Sequence, residues 1–105
     1  GADAVMGPIF RSASRDGSGF VIQFRNVDNP FPSPAEGVQG FAIAGPDHVF
    51  RWAHAKVEGN TVRVWHQDIA EPAAVRYSWA ANPIGNLRNQ AGLPASPFRT
   101  DDWNE

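Results

Sequence analysis

The chain has 105 residues, enough for one modest core, which excludes a multidomain enzyme. A composition 42% hydrophobic and 19% charged argues against disorder, because that much apolar surface can offset the entropy of ordering. Nine Lys and Arg against eleven Asp and Glu give a net charge of −2, so no nucleic-acid partner is expected, and the lack of cysteine removes disulfides, thiolate metal sites and a cysteine nucleophile.

The opening residues, Gly1-Ala2-Asp3-Ala4-Val5-Met6, carry neither the basic region nor the apolar run of a signal peptide. Since the first residue is not Met, the chain reads as a fragment or processed piece of a longer protein. No apolar run approaches the roughly 20 residues of a membrane helix, so no membrane partner is expected. Ten Gly and nine Pro interrupt the sequence too often for a clean long helix. The stretches between them alternate and predict strands. Residues 9–15 form the first, and Asp16-Gly17-Ser18-Gly19 turns into the second, residues 20–25. There Phe20, Ile22 and Phe24 share one face while Gln23 and Arg25 share the other. Residues 28–37 carry Pro30, Pro32 and Pro34 and read as an extended, surface-lying connection. Residues 41–43 and 49–52 flank the turn Gly45-Pro46-Asp47. Ala53, Ala55 and Val57 lead through Glu58-Gly59-Asn60 into 61–65, a hairpin signal. Val75, Tyr77 and Trp79 then alternate with Arg76 and Ser78. Six or seven short strands predict an all-β, antiparallel β-sandwich, immunoglobulin-like, with a jelly roll as the alternative.

Residues 82–105 predict an extended, irregular C-terminal segment. Leu93, Phe98 and Trp103 are costly to leave in water, so the segment should pack on something. Asn82, Asn86 and Asn89 can bond nearby main chain, and Arg99 beside Asp101 can fix the final turn.

The candidate chemistry is sparse. His48, His54 and His66 lack the spacing of metal ligands on one element, so no metal is expected. Ser, His and Asp are all present, yet no Gly-x-Ser-x-Gly elbow exposes a nucleophile, and no catalytic residue is assigned. Asp16-Gly17-Ser18-Gly19 reads as a hairpin turn, since no helix follows to present amides to phosphate, and no cofactor is implied. Among the aromatics, Phe20, Phe24, Phe41, Tyr77 and Trp79 are expected in the core. Trp65 stands opposite Val62 and Val64 on its strand and is the candidate for an exposed sugar platform.

The last third is more specific. It reads Pro72-Ala73-Ala74-Val75-Arg76-Tyr77-Ser78-Trp79-Ala80-Ala81-Asn82-Pro83, then Asn86-Leu87 and Asn89, then Gly92-Leu93-Pro94-Ala95-Ser96-Pro97-Phe98-Arg99-Thr100-Asp101-Asp102-Trp103. This resembles the closing pattern of the sialate O-acetylesterase family, AVRYAWA.NP..NLYN..GLPASPFRTDDW. Gly7-Pro8, Gly40-Phe41-Ala42-Ile43-Ala44-Gly45, Phe50 and Val57-Glu58-Gly59-Asn60-Thr61-Val62 fit in order, so the resemblance spans nearly the whole chain. It departs at Arg88, where the family usually has Tyr, and at Gly85, where some members carry Cys.

The resemblance implies a parent enzyme with an SGNH-type α/β catalytic domain, its Ser in a Gly-Gln-Ser-Asn segment and its His in an Asp-x-His segment. Neither segment occurs here. Residues 1–105 are then expected to be the C-terminal β-sandwich of a secreted or periplasmic carbohydrate esterase that removes acetyl groups from sugars. The expected role is a non-catalytic accessory domain whose partner is its own N-terminal catalytic domain, and the alternative is a carbohydrate-binding module with glycan as ligand. Residues 82–105 are expected to pack on the sandwich and on the catalytic domain, with Asn82, Asn86, Asn89, Leu93, Phe98, Arg99, Asp101 and Trp103 as candidate interdomain contacts. Deleting 94–105 is accordingly expected to harm the parent more than the fold of this domain.

Overall fold

The computed structural model describes residues 7–27, 31–79 and 85–103. Asp28, Asn29 and Pro30 of the proline-rich connection, and Asn82 and Pro83 of the tail, lie outside the described residues. Gly17, at φ 61°, and Ser18 join β1 (Ile9–Asp16) to β2 (Gly19–Arg25). Such a glycine-first reversal matches the twist of the strands it connects. β3 (Phe41–Ala44) and β4 (Phe50–Trp52) are joined by a turn in which the His48 N–H donates to the Gly45 carbonyl at 3.1 Å. β5 (His54–Glu58) reverses through Gly59, at φ 63°, and Asn60 into β6 (Thr61–Trp65). β7 (Ala74–Tyr77) and the short β8 (Phe98–Arg99) complete the set.

Two antiparallel sheets result, in the orders β1-β2-β6-β5 and β4-β3-β7-β8, with no helix among the described residues. The chain is a β-sandwich, as the alternation predicts. Its inner faces are the apolar faces of that alternation. Phe20, Ile22, Phe24, Val62 and Val64 of the first sheet meet Phe41, Ile43, Val75 and Tyr77 of the second. A bulge at Arg11 lets both Phe10 and Ala13 turn inward, because each pairs with an inward residue of β2, Phe24 and Ile22.

Three expectations need correction. Trp79 is 48% exposed and not in the core, because Ser78 adopts φ 50° and ends the alternation after Tyr77. The proline-rich connection is not wholly surface-lying. Phe31 is 2% exposed, and its N–H donates to the Gly59 carbonyl at 2.8 Å. The tail is not wholly irregular either, since Phe98 and Arg99 pair with Tyr77 and Arg76 as an edge strand.

The tail also closes the sandwich. The Phe98 ring stacks on Phe10 at 4.5 Å and on Tyr77 at 6.0 Å, and meets Phe24 and Phe41 edge-on at 5.9 and 6.1 Å. Phe10 and Phe24 belong to the first sheet, Phe41 and Tyr77 to the second, so one ring bridges both. Leu87 is fully buried, and its N–H donates to the Tyr77 hydroxyl oxygen at 2.9 Å. At the other end of the tail, the Ser96 N–H donates to the Pro8 carbonyl at 3.0 Å. Beside it Gly7 lies so close to Pro94 that any Cβ there would strike the Pro94 carbonyl.

Candidate interaction surface on the second sheet

Side chains paired across a sheet point the same way. Phe41, Ile43, Val75 and Tyr77 face the core, so their neighbours face outward. Trp52, Ala42, Arg76 and Arg99 therefore form one cross-strand row on the outer face of the second sheet, with Phe50, Ala44 and Ala74 in the next. The three alanines make a low floor on which larger groups can lie flat. Ala44 and Ala74 are fully buried although they face away from the core.

The cover is built by the last residues of the tail. Thr100 continues the edge of β8. Its N–H donates to the Val75 carbonyl and its hydroxyl oxygen accepts from the Val75 N–H, each at 3.0 Å. This aims Asp101 at Arg76, whose guanidinium donates to both carboxylate oxygens, from Nε at 3.0 Å and from Nη2 at 2.7 Å. Such a fork gives direction as well as charge compensation. The Asp101 side chain is 1% exposed and that of Arg76 is 21%. The Arg76 hydrogen bonds hold the Asp101 carboxyl below its ordinary range, against the opposing effect of burial. The same carboxylate accepts the Trp103 N–H at 3.2 Å. Trp103 then lies flat on the His48 ring, centroids 3.6 Å apart at 12°, and 5.7 Å from Phe50, over whose ring Arg76 sits at 4.0 Å. Arg99 lies 5.3 Å above Trp79 and donates to the Trp103 carbonyl at 3.5 Å. An aromatic and arginine layer thus covers this face.

Of the tail residues singled out in the sequence, Arg99, Asp101 and Trp103 come together in that layer. The expectation that Arg99 fixes the turn with Asp101 is corrected, because Arg76 takes the carboxylate. Phe98 points the opposite way, into the core. Asn86 and Asn89 bond main chain, as expected of them. Asn86 accepts from the Gln39 N–H and donates to the Gly37 carbonyl, both at 2.8 Å, and Asn89 Oδ1 accepts the Leu93 N–H at 3.0 Å. Leu93 itself is half-buried. Asn82 lies outside the described residues.

Trp65 faces outward from the first sheet, as its strand pattern predicts, and is half-buried. His54 is its cross-strand partner, with ring centroids 5.6 Å apart, and His66 lies 6.1 Å from His54. Gln67 Oε1 stands 3.0 Å from His54 Nε2. The sequence reading missed Trp52, which is 62% exposed, and Trp79. The edge position of β4 and the positive φ of Ser78 expose them, and neither is visible in the alternation. A separate open cleft of about 370 Å³ has Asp47, Arg51, Asp68 and Glu71 in its lining. No group of three or more His, Cys, Asp or Glu among the described residues is placed to hold a metal ion.

No protein-family model matches the chain, and no curated protein does. A solved structure does match. The chain is similar to a carbohydrate acetylesterase from Xanthomonas citri, with 43% sequence identity and a TM-score of 0.84. The match covers 93% of this chain but 23% of the Xanthomonas protein, so the chain spans less than a quarter of that relative's length.

Proposed function

We propose that these residues form a non-catalytic accessory domain of a carbohydrate O-acetylesterase, of the sialate O-acetylesterase kind suggested by the closing sequence pattern. One observation carries this function. The likeness to an acetylesterase takes in nearly all of this chain and under a quarter of the enzyme, while the sequence holds no nucleophile elbow. The reaction is then the work of an SGNH-type domain elsewhere in a secreted or periplasmic polypeptide. There a serine attacks the acetyl carbonyl, expels the sugar hydroxyl and passes through an acyl-enzyme that water resolves to acetate. The strand order favours an immunoglobulin-like reading over a jelly roll. Lettered along the chain, with β4 as C′, the sheets read A-B-E-D and C′-C-F-G. The 105-residue chain is expected to leave p-nitrophenyl acetate at the buffer rate. Turnover above buffer that disappears on substituting a single serine of this chain would overturn the assignment.

A second reading, a carbohydrate-binding module, is favoured by Trp65 flanked by His54, His66 and Gln67 on the outer face of the first sheet. It predicts saturable quenching of tryptophan fluorescence by O-acetylated oligosaccharides, abolished by Trp65→Ala. A flat titration removes it and leaves the accessory role alone.

A further inference from the structure

The large apolar side chains that stand exposed among the described residues are Val49, Trp52 and Trp79, and all three lie in or beside the second sheet. They border the outer layer built by Phe50, Arg76, Asp101 and Trp103. The two outer faces differ in kind. The first sheet turns Lys56, Glu58, Thr61, Arg63 and Gln23 outward beside Val21, His54 and the half-buried Trp65, so charged and polar groups predominate there, and Arg63 pairs with Asp16 at 2.6 Å. The second turns out Trp52, Arg76, Arg99 and Trp103, with Trp79 beneath Arg99, and no lysine or glutamate stands in its cross-strand rows. Tryptophan and arginine are the residues on which protein interfaces concentrate their energy, and lysine and glutamate are those they deplete.

Desolvating the centre of this layer also carries a low penalty. A buried arginine opposes docking when its charge has no partner. Here Arg76 already holds both oxygens of Asp101, and the Trp103 N–H is satisfied by the same carboxylate. Arg99, which rests on the Trp79 ring and the Trp103 carbonyl, stands at the edge of the sheet, where a partner can leave its charge in water, and what a partner would cover at the centre is mostly indole and aromatic ring. Trp52 on β4 and Arg99 on β8 stand at opposite edges of the sheet, three strand spacings or about 14 Å apart. That spread suits the centre of a standard protein interface.

We propose that the outer face of the second sheet is where the catalytic part of the same acetylesterase polypeptide sits, with Trp52 and Trp79 as its anchors. The occupant is chosen because the solved acetylesterase has most of its length outside the match, and that length is the mass available to cover this face. The assignment rests on the accessory role proposed above and adds the face and the anchors to it. It also moves the contact from the tail as a whole to the outward side of its last residues, since Phe98 is engaged in the core.

The test is hydroxyl-radical footprinting of the complete polypeptide that carries these residues together with its esterase part, beside the 105-residue chain. Labelling of Trp52 and Trp79 should fall about fivefold or more in the complete polypeptide, because interface cores pack as densely as interiors. Labelling of Trp65 should be equal in the two. Protection of Trp65, Lys56 and Arg63 in place of Trp52 and Trp79 would overturn the choice of face while leaving the accessory role standing. Equal labelling of every residue in both proteins would overturn both. If Trp52 and Trp79 are protected only when an O-acetylated oligosaccharide is added, the face is a sugar site and the docking assignment fails.

Discussion

Asp101 carries the charge balance of the outer layer. It neutralises Arg76 and caps the Trp103 N–H, and its side chain is almost without contact with water. Arg76 holds its carboxyl below the ordinary value, so the folded chain keeps Asp101 ionised at a pH where the unfolded chain, near 3.9, takes up a proton. A depressed folded value means that the stabilisation is complete above that unfolded value and is lost as pH falls through the folded one. Asp101→Asn should therefore lower stability at neutral pH by roughly 1–3 kcal/mol, toward the lower end because water can reach Arg76. The variant should also lose less further stability than the unsubstituted chain as pH falls below about 4. Melting curves from pH 7 to pH 2 check both, and parallel acid limbs in the two proteins would refute the assigned role. Tyr77 marks the opposite limb. Burial raises its phenol, so the neutral form that accepts the Leu87 N–H is favoured, and that stabilisation is present below about pH 10 and fades above it.

The eight strands among the described residues differ in how they are specified, and β8 shows the difference best. Its two residues make few ladder bonds, yet Phe98 joins Phe10 and Phe24 to Phe41 and Tyr77. Phe98→Ala should cost about 3–5 kcal/mol, a large share of the roughly 5–15 kcal/mol that holds a domain of this size together. Removing 94–105 takes the same ring and the Asp101 pair, so the domain itself should lose cooperative unfolding. That sets a large loss in the fold itself against the expectation that such a deletion harms the parent more than the fold of this domain. Circular dichroism melts of both variants decide it, and a truncated chain that still melts sharply would show the ring to be dispensable. Most of the other strands were legible because each alternates over several residues between glycine or proline breaks, although β4 and β5 are parted by Ala53 alone. β8 was not legible, because two residues have no period. Trp79 was misplaced for a related reason. Alternation assumes that extended backbone continues, and the left-handed Ser78 ends it. Phe31 shows the converse, since prolines mark a loop without telling which of its side chains turn inward.

At the scale of the whole molecule, the sequence disclosed a sandwich and the absence of a catalytic motif, while the surface layer emerged only in three dimensions. His48, Arg76 and the tail pair Asp101 and Trp103 come from three separate stretches, and no spacing rule links the three. Their meeting depends on the tail crossing the outer face after Phe98 is seated, so the core ring and the candidate interface are two sides of one segment. A thermodynamic consequence separates docking from decoration. Trp52 is 62% exposed and Trp79 is 48%, so Trp52→Ala and Trp79→Ala forfeit only the covered part of each indole and should cost the 105-residue chain about 1 kcal/mol each, aside from the stacking of Arg99 on Trp79. In the complete polypeptide the same indoles would lie at the centre of an interface, where truncating an anchor typically costs about 2 kcal/mol or more. Paired melts of each variant in both contexts should thus show a small shift in the isolated chain and a larger one in the complete enzyme, with the esterase activity of the folded enzyme unchanged on small substrates. Equal shifts in the two contexts would mean that Trp52 and Trp79 gain no further contact in the complete polypeptide, and that the docking assignment fails.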